Sequence, residues 1–327
     1  MSSVRTSTFL PNSGLEAIQD RESLLKENKG RWVMFPVEYD TFWVMYKEVE
    51  NNFWAAEDFI FSEDKRSLDS LPAPLLDCLN WLLSYHMMLD NTSLCRPADI
   101  TLDLLSDVQA AEARAFYGFQ LTDENIHSET VGFMFQNLGL SLDLSSGADK
   151  ISWLQTLCKE SSSFFRRVLV CVISKLLFNC SFSILRDFLV KDRHVPTHTS
   201  AFDAMKSDRH IHVRFAYCVF RLLEYKMLES EVLDLVREAT RLEFEFCSKA
   251  LPLDFMNLSK DHLEAYIQFS ANNVLLVSGY KPLFNPDYDV EWLNTPKVDL
   301  SIQKHHQKTQ IQNEVITTTE IKFDEDF

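Results

Sequence analysis

Glycine is nearly missing from this chain, with 7 among 327 residues. Hairpins, bulges and tight turns repeatedly need backbone at positive φ, which glycine reaches at least cost. A sandwich or doubly wound sheet of this length would need many more. Long helices with few connections are what such a composition favours. Hydrophobic residues make up 46% of the chain and include 25 phenylalanines, enough to bury the inner faces of those helices in one large core. No repeat of fixed period stands out.

The apolar spacing agrees. Between Val37 and Phe59, Phe42, Met45, Tyr46, Val49, Phe53 and Trp54 recur at a helical period. Pro72 and Pro74 suit the first turn of a second helix. It runs to about Cys95 and carries Asp90 beyond the apolar run Trp81, Leu82, Leu83, Met87, Met88, Leu89. Further helical regions are predicted over about 100–138, 151–190 (one or two helices), 200–225, 230–250 and 259–279. Phe164 to Leu185 is the most apolar stretch, yet it contains Arg166, Arg167, Lys175 and Asn179. It reads as a central buried helix and not as a membrane span.

Residues 1–21 read as a flexible N-terminal tail, 22–295 as a single all-α domain and 296–327 as a disordered tail. The net charge of -16 argues against a nucleic-acid-binding surface, which needs clustered Lys and Arg. Seven cysteines stand singly with no Cys-x-x-Cys pair, and Met1 to Gly14 has no apolar core of a signal peptide. Both features point to a reduced, soluble, cytoplasmic protein.

Chemistry concentrates between Glu112 and Glu129. Glu124 and His127 stand three apart, so on a helix they share one face and can ligate one metal ion. Glu-x-x-His used twice around a four-helix core marks ferritin-like di-metal carboxylate proteins. The blocks Leu24-Leu25 through Phe35-Pro36, Phe53-Trp54-Ala55-Ala56-Glu57, Phe116-Tyr117-Gly118-Phe119-Gln120 and Glu124-Asn125-Ile126-His127-Ser128-Glu129 follow one family pattern in order and spacing. Ser181-Phe182, Ala250-Leu251-Pro252 and Asn285-Pro286 add to it. On these residues the chain resembles the small subunit of the eukaryotic-type ribonucleotide reductase over about 22–295 and the extreme C-terminus.

The resemblance implies a ferritin-like bundle of about eight long helices, a dimer, and a di-iron centre that generates a tyrosyl radical for a separate large subunit. The family's centre uses one Asp, three Glu and two His. Asp90, Glu124, His127 and His212 match four of these positions, whereas Ser174 and Arg209 stand at two Glu positions. The radical tyrosine position is Val131, and no tyrosine follows Tyr288 to relay a radical through the tail. Trp54 and Asp208 match the family's transfer route, as relics of it or as packing. The final residues Phe323, Asp324, Glu325, Asp326 and Phe327 resemble the docking peptide for the large subunit.

These departures imply a subunit of ribonucleoside-diphosphate reductase that supports deoxyribonucleotide synthesis without forming the cofactor itself. It would be a non-catalytic pseudoenzyme paired with a radical-competent small subunit, the large subunit, or both, with no nucleic-acid or membrane partner. No cofactor is expected, although Asp90, Glu124 and His127 retain a set for a single ion. Other readings are a structural or regulatory binder on the same scaffold and a mononuclear-metal oxidase. Arg209 is expected to fill the place of the lost metal and to bond Glu124 or Asp90 in bidentate fashion.

Overall fold

The apolar stretch forms the hub of the molecule as helix α8 (Phe164–Leu176), a 3-10 turn over Leu177–Asn179, and α9 (Cys180–Lys191). This run is long and apolar enough to cross a membrane, but most of it is buried among other helices. Ser163 starts α8 by accepting the Arg166 amide proton at 3.3 Å. Asn179 closes the break after it, donating from Nδ2 to the carbonyls of Ser174 (2.7 Å) and Lys175 (3.3 Å). These bonds tie the 3-10 turn back to the last turn of α8 where the helix changes pitch.

The computed structural model describes residues 7–28, 34–92, 95–160 and 163–301. In chain order its helices are α1 (Asn12–Glu16), α2 (Asp40–Asn51), α3 (Lys65–Asp69), α4 (Ala73–Asp90), α5 (Pro97–Asp107), α6 (Ala111–Asn137), α7 (Ala148–Lys159), α8, α9, α10 (Pro196–Leu222), α11 (Glu229–Ala250), α12 (Leu253–Met256) and α13 (Lys260–Ser278). The expected all-α ferritin-like bundle is present, with more helices than the eight anticipated. The helical region expected over about 100–138 consists of two helices, α5 ending at Asp107 and α6 starting at Ala111. Proline opens α5 and α10 at the first turn, where a missing N–H costs nothing. Gly279, at φ 87°, ends α13 in a left-handed conformation that a side chain would resist.

Helix α6 lies against α2, α4, α5 and α10, and α8 lies against α5, α10 and α13. Where α2, α6 and α10 meet, Phe116 stacks on Phe215 with ring centres 3.7 Å apart, and Phe42 packs against the same Phe215 at 4.8 Å.

Residues 7–21 differ from the flexible tail expected. Strand β1 (Thr8–Leu10) pairs in parallel with β2 (Tyr225–Met227), with Thr8 opposite Tyr225. Farther along this arm Glu22 accepts the amide protons of Glu224 (3.1 Å) and Tyr225 (2.8 Å), while Gln109 donates to the Leu24 carbonyl at 2.7 Å. A few buried anchors, Leu15 and Leu24 among them, hold an otherwise polar segment. The C-terminal docking sequence from Phe323 to Phe327 lies outside the described residues.

Candidate functional site

Helices α4, α6, α8 and α10 each send polar side chains into one small cavity lined by Asp90, Glu124, His127, Ser174, Lys175 and Arg209 among others. Helical spacing explains the convergence. Glu124 and His127 on α6 share a face at i,i+3, as do Arg209 and His212 on α10. Four of the six positions matched to metal ligands therefore carry groups able to ligate, and a fifth and sixth carry a hydroxyl and a guanidinium.

The cation that engages the carboxylate is Lys175, not Arg209. Its ammonium donates to Glu124 Oε1 and lies 3.3 Å from Nδ1 of His212. It thus stands between two of the positions matched to metal ligands. Ser174 lines the cavity but commits its hydroxyl to its own helix, donating to the Cys171 carbonyl at 2.8 Å. The bidentate role expected for Arg209 is not seen: among the described residues no carboxylate lies within ion-pair distance of its guanidinium, which lines the cavity wall. A lysine stem of four methylenes on α8 reaches Glu124 on α6, and from α10 His212 Nδ1 lies 3.8 Å from the same carboxylate oxygen.

Each histidine is held from its other side. His212 Nε2 lies 2.8 Å from Asp123 Oδ2, and His127 Nε2 lies 2.8 Å from Asp208 Oδ2. Asp208 also accepts from Asn52 Nδ2 (2.6 Å) and Trp54 Nε1 (2.8 Å), so the His127 proton belongs on Nε2. The Trp54 ring stacks on His127 with centres 5.7 Å apart. Trp54, Asp208 and His127 form one continuous hydrogen-bonded path from partly exposed to buried. Nδ1 of His127 is buried with no hydrogen-bond partner and lies 4.0 Å from Glu124 Oε2.

The electrostatics follow from burial and from where the two cations stand. Burial raises the Glu124 pKa, but Lys175, with smaller help from His127 and Arg209, outweighs it and leaves Glu124 below the usual carboxylate range. Asp90 has no such partner: burial, together with the Glu124 charge, raises it to about 6 against the Ser128 hydrogen bond and two arginines. Asp123 is pushed up to about 8 by burial and by its neighbours Asp208 and Glu124. Burial depresses both His127 and His212, the latter further because of Lys175. Both imidazoles are therefore neutral at pH 7.

Val131 is buried one turn beyond His127 and offers no oxidisable group. Tyr117 has a buried hydroxyl without a hydrogen-bond partner, walled in by Phe116 and Phe215. Sequence reasoning did not single out Asp123 or Asn52. Asp123 precedes Glu124, and only the packing of α10 shows that neighbouring carboxylates on α6 serve two different groups.

A family model described as ribonucleotide reductase, small chain, matches residues 31–291. The chain belongs to that family. Among the ribonucleotide reductase small chains it is similar to, the Nicotiana tabacum protein is 29% identical over 332 residues, covering 94% of this chain and 98% of the relative. Human ribonucleoside-diphosphate reductase subunit M2 is 29% identical over 288 residues, covering 83% of this chain and 72% of the relative. In structure the chain resembles the Rnr4 homodimer from Saccharomyces cerevisiae, with a TM-score of 0.75 and 22% identity over 85% of this chain and 91% of that one. It also resembles the dimanganese NrdF of Streptococcus sanguinis, with a TM-score of 0.64 and 15% identity over 83% and 98%. At such identities the two structures speak for the fold alone.

Proposed function

We propose that this ribonucleotide reductase small chain serves deoxyribonucleotide synthesis as a non-catalytic subunit. In this reading it acts in the cytoplasm beside a radical-competent small chain, the large subunit, or both. The observation that carries it is the ammonium of Lys175 lying between Glu124 and His212. A di-iron centre does not fit this donor set. Two ferrous ions bring four positive charges, whereas the site offers Asp90 and Glu124 against the fixed cations Lys175 and Arg209. A unit charge pair at 4 Å is worth about 4 kcal/mol at an effective dielectric near 20, and a divalent ion doubles it. Repulsion from Lys175 alone would thus oppose a second metal by several kcal/mol, before the missing ligands at Ser174 and Arg209 are counted. The ammonium supplies one of the lost positive charges and keeps the site assembled without metal.

Family membership supports the reductase role, and the seven unpaired cysteines suit a reducing compartment. In such a subunit the helical scaffold is retained for what it docks to, and the path Trp54–Asp208–His127 serves as packing.

The test is reconstitution of the purified chain with ferrous iron and oxygen, read by metal analysis, absorption and electron paramagnetic resonance. Fewer than one iron per chain and no tyrosyl radical are expected; two irons per chain would overturn the reading. A pull-down from the protein's own cells should recover other reductase subunits, and their absence would favour a binder outside nucleotide reduction. A second reading, one ion held by Asp90, Glu124 and His127, draws on the unpartnered Nδ1 of His127. It predicts one tightly bound divalent ion lost in His127→Ala.

A further inference from the structure

A second cavity lies behind the metal-site remnant, between α8, α9, α10, α13 and the extended segment that includes residues 295–298. Its walls carry five cations, Lys175, Arg186, Lys206, Arg209 and Lys297, and no Asp or Glu. In a chain with 48 acidic and 32 basic residues, such a lining runs against the composition. Two of the five are already neutralised: Lys175 by Glu124, and Arg186 by Asp187 (2.9 Å) and Asp203 (2.6 Å). Lys206, Arg209 and Lys297 have no carboxylate within ion-pair distance among the described residues. Lys206 and Arg209 stand three apart on α10, the spacing at which like charges repel. Uncharged donors complete the lining, Ser183, Ser270 and Thr295 among them, and Arg186 keeps a buried Nε without a partner.

We propose that this cavity binds a phosphate-sized oxyanion. Lys206 and Arg209 are half-buried, where water answers their charge only in part and a counter-anion would complete it, while Lys297 stands exposed at the cavity's edge, free to close on a bound anion. Guanidinium and ammonium groups with hydroxyls are the donor set that tetrahedral oxyanions take. Size narrows the ligand further. The cavity measures about 80 Å³. On that measure one water needs roughly 10–15 Å³, so there is room for a phosphate and a few waters. It is far below the roughly 300–1,000 Å³ of pockets that swallow a whole organic ligand. The occupant is therefore inorganic phosphate or the terminal phosphate of a larger molecule whose remainder stays outside. Arg209 lines this cavity and the metal-site remnant alike, so a bound anion would give that guanidinium the partner that the remnant does not.

Isothermal titration calorimetry on the full chain tests this, with inorganic phosphate and ADP as separate probes at constant ionic strength and chloride as reference. Saturable binding of phosphate is expected, with a rise in thermal midpoint that chloride does not reproduce. Lys206→Gln/Lys297→Gln should weaken the affinity at least about tenfold, about 1.4 kcal/mol. Lys260→Gln, an exposed lysine outside the cavity, should leave it unchanged. If the double variant misfolds by circular dichroism, Lys297→Gln alone carries the test, since its residue lies beyond the last helix. Binding of ADP with the same dependence on both lysines would identify a terminal phosphate as a source, and binding of phosphate alone would identify the free ion. No saturable binding of either probe, or undiminished binding in the lysine variants, would overturn the proposal.

Discussion

Replacing Lys175 by methionine should expose what the ammonium does for the Glu124 site. The change keeps an apolar stem of similar length and removes the charge that Glu124 answers. Both side chains are almost fully buried, Lys175 at 6% and Glu124 at 5% exposure, so water cannot take over. A carboxylate stranded in this way typically costs about 3–5 kcal/mol. Glu124 has an escape, which is to take a proton. Relative to an unfolded pKa of 4.5, holding the carboxyl protonated at pH 7 costs about 1.36 × 2.5, or about 3.4 kcal/mol. At pH 5 the same protonation costs only about 0.7 kcal/mol.

In the wild-type chain the sign is opposite: Glu124 is depressed, so its contribution is present above pH 4.5 and is lost as pH falls through its folded pKa. Urea unfolding followed by circular dichroism, on both proteins at pH 7 and pH 5, reads the difference directly. The destabilisation should be about 3–4 kcal/mol at pH 7 and shrink to about 1 kcal/mol at pH 5. Subtracting wild type at each pH removes most of the background titration of Asp90. A loss below about 1 kcal/mol at pH 7, or one that does not shrink with acid, would refute the assignment of Lys175 as the carboxylate's counter-charge.

Arg209→Met should cost less than half as much as Lys175→Met in the same assay, because no carboxylate is bonded to the guanidinium; equal or larger losses would restore Arg209 to the centre of the site. Asp90→Asn should stabilise the protein at pH 7 by up to about 3 kcal/mol and have almost no effect at pH 4. Asp90's pKa is raised to about 6, so the ionised form is disfavoured by folding and stability falls as pH rises from about 4 through 6. Ser174→Glu/Arg209→Glu should still fail to take up iron, since Lys175 remains in place, and adding Lys175→Ala should permit metal uptake measurable by elemental analysis. Truncation after Lys322 should weaken binding to a reductase large subunit at least about tenfold, measured by surface plasmon resonance; unchanged affinity would make the acidic end a solubilising one.

Periodicity was sufficient to read the bundle from the sequence, because long amphipathic helices repeat their signal over many turns. It could not locate the break between α5 and α6, where Val108 and Ala110 continue the apolar pattern while the backbone turns extended. The arm over residues 7–21 was illegible for a different reason: three-residue strands and isolated anchors such as Leu15 leave no period. At the site, the i,i+3 spacing puts Glu124 and His127 on one face of α6 and Arg209 and His212 on one face of α10. What spacing cannot give is reach. Which of two cations meets Glu124 depends on the distance between α8 and α6 and on the length of a lysine stem, and neither is written in the i,i+3 pattern. The pairing of Asp123 with His212, between helices 89 positions apart in sequence, was hidden for the same reason.

Strand β1 has to wait for its partner during biosynthesis. Thr8 pairs with Tyr225, 217 residues later by subtraction, and Glu22 caps the amides that begin the same strand. A ribosome adding roughly 5–20 residues each second needs about 10–45 s to cover that distance. For that interval Leu10 and Leu15 have emerged but the surface that includes Leu223, Tyr225 and Leu228 has not been made. The nascent arm is then a largely polar segment with undocked apolar anchors, open to chaperones and proteases, and its docking marks completion of the chain through β2. Synonymous codons that slow translation between α2 and β2 would lengthen this exposure without altering a single residue of the finished protein.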